Sequence, residues 1–428
     1  MNSTERKNKL ADLQAHLPEA ENALKLPYQG ETKAFNVYKI PISFLVFNKE
    51  NGRIASLVKS YVKEHQSIDV ETEEGSALIA KFLYNAHKDR NKITRENIIN
   101  HGQLQYGIVT SDGVIVDGNR RVTLLMSIAR DNSLPQSVRD RSNYFLAAIL
   151  PEEANDKDIL RLETQFQMGS DDKVDYNPIE KYLHAYDMKR RDFTIEEIKS
   201  YMGFKNKKEV TQAIDMVSLI DQYLQAYDYD GIYTRIPSGA EDRLLKLNDA
   251  IKKIKEGGIS WIPTDGKDEV INDLKTICFD FIRLGEHNAE EYRAIMQGNY
   301  SFLANEGIWK TFVDNYFSKL EDLPEETPTE EILETSTSDE DSDRLLRARD
   351  YDWKHNASTL ISEAYTESKI SLDNSKDKDE PLKLLNKAMN ALASINHDTI
   401  RVASNKNELL SSTEEIASLL EKIKNDIM

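Results

Sequence analysis

The stretch SDGVIVDGNRRVTLLMSIAR, residues 111–130, decides how this chain is read. Val114, Ile115 and Val116 form an apolar strand. Asp117-Gly118 follows, a pair that permits a sharp turn because glycine tolerates positive φ. A helix starts at once and can bury Val122, Leu124, Leu125, Ile128 and Ala129 against a sheet. The opening amides of a helix lack intrahelical partners, and with the helix dipole they favour an anion. Arg120 and Arg121 add forked donors that match phosphate or carboxylate oxygens. Strand–turn–helix units are common, and such arginines can equally pair with carboxylates. On this stretch alone both readings stand, with Asp117 either capping the helix or holding an arginine.

Working outward, FNVYKIPISFLVF (35–47) is rich in β-branched and aromatic residues and reads as a strand, with Pro41 marking an edge or a break. NKENGRI (48–54) is a turn, followed by helices near 55–65 and 75–88. TRENIINHG (94–102) reads as a short helix capped by Thr94 and stopped by Gly102. YGIVT and GVIVD are strands joined by Ser111-Asp112-Gly113, and YFLAAIL (144–150) is a third buried strand ended by Pro151. From 156 the pattern turns helical, with helices near 156–167, 178–190, 194–202 and 207–224 and a capping box at Thr194 and Glu197.

The chain of 428 residues is 39% hydrophobic and 30% charged, with a mean hydropathy of −0.60. This suits a helix-rich protein with wide solvated faces. Neither a membrane-spanning run nor an apolar leader is visible, and the single Cys278 forms no intrachain disulfide, so a cytoplasmic setting is expected. Eight scattered histidines show no metal-ligand spacing. The net charge of −18 is uneven: residues 321–343 hold eleven acidic residues and no basic one. This Pro-, Ser-, Thr- and acid-rich stretch reads as a disordered linker. A local basic face can still meet nucleic acid.

In order along the chain, VYKIPISFLVFNKENGRI (37–54), TRENIINHGQLQYGIVTSDGVIVDGNRRVTLLMSIA (94–129) and VDYNPIEKYLHAYDM (174–188) resemble segments of the ParB family. The segment 194–219 then falls where that family has its helix-turn-helix. The resemblance covers about residues 35–225 and implies an α+β fold: a small mixed-sheet ParB/sulfiredoxin-like domain followed by mostly α-helical domains. The boundaries expected are a helical lead-in at 1–34, the ParB-like domain at 35–155, a helical segment with the helix-turn-helix at 156–228, a helical domain at 229–320, the acidic linker at 321–343 and a C-terminal helical domain at 344–428.

The resemblance implies a nucleoside triphosphate, CTP or ATP, with Mg²⁺. Its phosphates would lie on Gly118, Asn119, Arg120 and Arg121, and residues 102–107 would line the same pocket. Glu163 in LETQFQM (162–168) is the implied metal-side carboxylate, and an NTPase or nuclease using the same turn would draw on Asp171 or Asp172 as well. Asn119 stands where the family has Glu, and Thr164 where it has the Mg²⁺-contacting Asn. The sulfiredoxin activity of the shared fold needs a cysteine at the position of Asn119 and is excluded.

FTIEEIKSYMGFKNKKEVTQAIDMVSLIDQYL (193–224) carries the helix-turn-helix candidate, with a turn of about one residue at Gly203. Lys205, Lys207, Lys208, Thr211 and Gln212 would face DNA, the lysines on phosphates and Gln212 near base edges. A helical hairpin that only packs is the alternative. Beyond 225, Trp261, Phe279, Phe281 and Trp309 read as helical core, and the stripe Ile416, Leu419, Leu420, Ile423 and Ile427 as intramolecular packing. By analogy a homodimer or protein partner would engage 344–428. The function expected is a ParB-like, nucleotide-responsive DNA-binding protein of segregation, plasmid or phage regulation, or defence, nucleoid-associated when DNA-bound. The alternatives are an NTPase or nuclease of a phage-defence system, and a scaffold that binds no nucleotide.

Overall fold

The computed structural model describes residues 1–16, 23–168, 177–285, 289–374, 380–396, 400 and 405–427. Its β part is a five-stranded mixed sheet in the order β1-β2-β5-β3-β4. The strands are β1 (Ala23–Tyr28), β2 (Glu31–Pro41), β3 (Gly107–Val109), β4 (Ile115–Asp117) and β5 (Tyr144–Ile149). β5 is central, antiparallel to β2 and parallel to β3. Its alternation is the period-2 pattern of a sheet buried on both faces. Phe145, Ala147 and Ile149 join one core with Val109 and Ile115, while Ile108 and Val116 join Leu26 and Tyr28 in another.

The first of these cores is covered by α2 (Ala55–His65), α3 (Glu73–Asn85), α4 (Lys88–His101) and α5 (Asn119–Ala129). α7 (Asp156–Met168) closes the other face through Leu162. α4 is longer than expected: Thr94 lies inside it, its hydroxyl donating to Arg90 O, and His87 is the N-cap. A short helix α6 (Gln136–Arg141), not foreseen from the sequence, leads into β5.

The lead-in is not wholly helical. α1 (Ser3–His16) is followed by β1, which pairs along its length with the first half of β2. Leu24, Leu26 and Tyr28 alternate toward the core, and Gln29-Gly30 turns the chain with φ of 52° and 84°. Two positive φ values in a two-residue loop are what a tight hairpin requires.

Helices α8 (Pro178–Arg190), α9 (Ile195–Met202) and α10 (Lys207–Ala226) follow. α10 is 20 residues long and crosses three clusters. Val210 and Ala213 pack with α9, Val217 with Leu183 and Ala55, and Met216 to Leu224 with the later helices. Those helices include α11 (Ala240–Lys255), α12 (Lys267–Leu284), α13 (Ala289–Met296) and α14 (Glu306–Leu320). Cys278 and Trp309 are buried among them, as expected of core residues.

The acidic stretch 321–343 is ordered, against the expectation from its composition. It carries α15 (Thr329–Thr335) and the start of α16 (Asp339–Asn374), with Ile332 buried. Its Glu326 receives two bonds, of 2.7 and 2.5 Å, from the buried guanidinium of Arg283, which also binds Asp350 and stacks on Tyr227 and Trp353. A buried arginine must be paired, and the acidic stretch supplies the carboxylate. The stripe in the last helix, Lys406–Ile427, also differs from expectation: Leu419, Leu420 and Ile423 are exposed. Among the described residues no helix is long and apolar enough to cross a membrane.

Gly107 sits where a Cβ would lie 2.1 Å from the Phe145 ring and 2.7 Å from Asp117 O. Phe145 is fully buried and cannot swing away. Gly107→Ala is therefore expected to destabilise the protein by about 1–3 kcal/mol, measured by urea unfolding, while Gly30→Ala at the open hairpin turn costs less.

Candidate anion-binding site

β4 passes into α5 through Gly118, whose φ of 110° is left-handed. A Cβ here would lie 2.4 Å from the Phe145 ring, so both space and conformation call for glycine. No side chain caps α5. The start of α5 borders a cavity of about 310 Å³, whose walls include Gly118, Asn119, Arg120 and Arg121. Gly102, Gln103, Leu104 and Gln105 form a second wall, and Arg53, Thr94 and Asn97 complete it.

The four residues at the turn do different things. Arg121 is committed to the protein: it pairs with Asp117 at 2.6 Å and donates to Gln105 O, Gln105 Oε1 and Tyr106 O. Asn119 turns inward, donating to Ile115 O at 2.8 Å and accepting from Asn48 N at 3.0 Å. Arg120 differs, because its Nη1 is buried with no hydrogen-bond partner among the described residues. Burial, together with the charges of Arg53, Arg121 and Arg90, pushes its pKa down from 12.5 to about 10, and Asp117 offsets only part of this. The nearby His87 is also held below its usual range, by burial and then by Arg53, Arg120 and Arg90. Local charge here is positive despite the acidic chain. An anion at Arg120 would supply both the missing acceptor and the missing charge.

Arg90 is not singled out by the sequence, and Arg53 only as the arginine of a family-like turn. Arg53 lies inside the quoted NKENGRI turn, but its approach to Arg120 depends on the whole domain. Here Asn51 caps a single 3₁₀ turn, Gly52–Ile54, by accepting from Arg53 N at 3.0 Å.

Glu163 is not on this cavity. It is 1% exposed, with Oε2 accepting from Asn48 Nδ2 and Oε1 from Gly52 N, each at 3.1 Å. Among the described residues no group of three or more His, Cys, Asp or Glu side chains could hold a metal ion. Asp171 and Asp172 lie outside the described residues. Thr164 is buried against His184, with Oγ1 2.7 Å from Nε2. The Asn-Pro-Ile-Glu sequence is a double cap: Asn177 accepts from Ile179 N at the start of α8, and Glu180 reaches across to α2, accepting from Ser56 N at 3.1 Å and from the Ser56 hydroxyl.

α9 and α10 form a helix pair joined by residues 203–206, a four-residue turn rather than the single residue expected. Gly203 takes φ 68°, Asn206 caps α10 by accepting from Glu209 N, and the Thr194–Glu197 capping box starts α9. Lys205, Lys207, Lys208 and Thr211 are exposed at the start of α10, and Gln212 is half-buried. Lys207 pairs with Glu196, whereas Lys205 and Lys208 carry no ion pair among the described residues. This basic end does not line the arginine cavity.

No family model, curated protein or solved structure matches the chain.

Burial raises the Glu180 pKa from 4.5 to about 7 despite its bonds to Ser56. The native state then keeps a proton that the unfolded chain has lost, so this group's contribution to stability falls as pH rises from 4.5 to about 7. His184, lowered from 6.5 to about 4 by burial, acts the opposite way and loses stability as pH drops through that window. Relative to wild type, Glu180→Gln is expected to gain melting temperature between about pH 5 and about pH 7, as the Glu180 slope is removed. A difference that does not change with pH would refute the assignment.

Proposed function

We propose that this chain is a ParB-like, nucleotide-responsive DNA-binding protein. A nucleoside triphosphate, CTP or ATP, sits with its phosphates between Arg120 and Arg53 at the start of α5, and DNA lies along the start of α10. The observation that carries the reading is the buried Nη1 of Arg120, unpartnered among the described residues, at a cavity that three arginines line and where a helix begins uncapped. A guanidinium withdrawn from water beside like charges is unfavourable until an anion arrives. The strand–glycine–helix turn and the parallel pair β3 and β5 agree with a ParB/sulfiredoxin-like domain. Leu83, Ile98 and Leu104, with the amides of Asn97 and Gln103, give the rest of the cavity the mixed character that suits a nucleoside. Glu163 is committed to the 48–52 loop, so Mg²⁺ would enter as the triphosphate's counter-ion.

Titration calorimetry with CTP, ATP and pyrophosphate tests the site. Arg120→Ala is expected to weaken binding by on the order of tenfold or more, because a charge-assisted pair is lost. Arg121→Ala is expected to reduce stability as well, since its bonds run to Asp117 and the 105–106 backbone. Absence of binding by the folded wild type would leave a scaffold with a structural arginine pair.

DNA contact is tested separately. The exposed pair Lys205→Glu, Lys208→Glu is expected to weaken duplex binding and to lower the slope of log affinity against log salt by about 2, roughly one per phosphate contact. An unchanged slope would restrict α9 and α10 to packing.

A further inference from the structure

Between β2 and the first turn of α2 the chain runs through residues 48–56 and presents Arg53 to the cavity from its middle. This loop is held from the helical side of the molecule. Glu163 of α7 takes Asn48 Nδ2 and Gly52 N, each at 3.1 Å, on the N-terminal side of Arg53. Glu180 of α8 takes Ser56 N at 3.1 Å and the Ser56 hydroxyl on the C-terminal side. Asn119 of α5 completes the frame by accepting from Asn48 N at 3.0 Å. Both carboxyl groups are buried, at 1% and 6% exposure, where a hydrogen bond is strong and its loss is costly.

We infer that Glu163 and Glu180 are positioning residues, which fix the backbone on both sides of Arg53 and so set its guanidinium against Arg120. The inference rests on the cavity being an anion site. It also gives Glu163 a role distinct from metal ligation. Its oxygens hold an amide and a side-chain donor of the loop, and it works through Arg53 whether or not a divalent ion is present. Glu180 does the same from the far side, where no side chain on α2's own N-cap residue, Ile54, caps that helix.

A double-mutant cycle with pyrophosphate as the probe tests this on the full chain. Calorimetry is run in EDTA and again with Mg²⁺ on wild type, Glu163→Gln, Arg53→Ala and the double variant, with thermal melts to establish folding. Each single variant is expected to lose on the order of tenfold in affinity in both buffers, and the double variant to be no weaker than Arg53→Ala alone. Glu180→Gln, which keeps one acceptor for Ser56, is expected to lose less and to be silent in the Arg53→Ala background. A merely structural Glu163 would give losses that multiply in the double variant, and a metal ligand would give a loss only with Mg²⁺; either overturns the inference. If Arg120→Ala binds as well as wild type, the cavity reading fails first and takes this inference with it. If Arg120→Ala fails to bind while Glu163→Gln binds normally, only the positioning role is lost.

Discussion

At the junction of β4 and α5 there is no room for a Cβ at Gly118, because the ring of Phe145 fills that space from the central strand. The consequence is geometric. The chain turns through a left-handed residue and the helix begins without a side-chain cap. Gly107 meets the same ring from β3. One fully buried aromatic thus sets the spacing of two strands and the origin of α5. Arg120 and Arg121 leave the helix in fixed directions because its start is fixed, and the cavity between α4, the 102–105 segment and the 48–56 loop follows from that.

Charge is used unequally in this chain. Most buried charged groups are answered by a partner: Arg283 by Glu326 and Asp350, Arg121 by Asp117, Asp280 by the hydroxyls of Tyr227 and Tyr316. Glu163 and Glu180 are answered by backbone amides. Arg120 is one of several side chains with a buried nitrogen unanswered among the described residues, and at Arg120 this coincides with a cavity wall and with other arginines that raise the local potential. Satisfied networks fix a fold, whereas an unsatisfied one in a cavity is open to a ligand.

Much of this was legible in the sequence. Periodicity located the helices between 156 and 226 to within about two residues, and the apolar run 144–150 gave the central strand. What escaped depended on partners far along the chain. Pro27 and a short apolar alternation concealed β1, which is a strand because β2 lies beside it. The acidic stretch 321–343 has the composition of a disordered segment but is fixed by Arg283 and by Ile332 in the core. At the candidate site the Arg-Arg pair was visible, but not which arginine is spent on structure. Asp117 and Gln105 decide that, and only the folded turn brings both to Arg121. Glu163 is expected from the sequence as the metal-side carboxylate, but its orientation toward Asn48 and Gly52, away from the arginine cavity, depends on how α7 packs against the loop.

The central claim is that the start of α5 and the 48–56 loop close on an anion together. Amide hydrogen exchange with and without saturating pyrophosphate tests it most directly. The account requires slowed exchange at 118–122 and at 48–56 in the same titration, with the rest of the chain little changed. Unchanged exchange at both segments under saturating ligand, or protection confined to the exposed lysines at the start of α10, would contradict it.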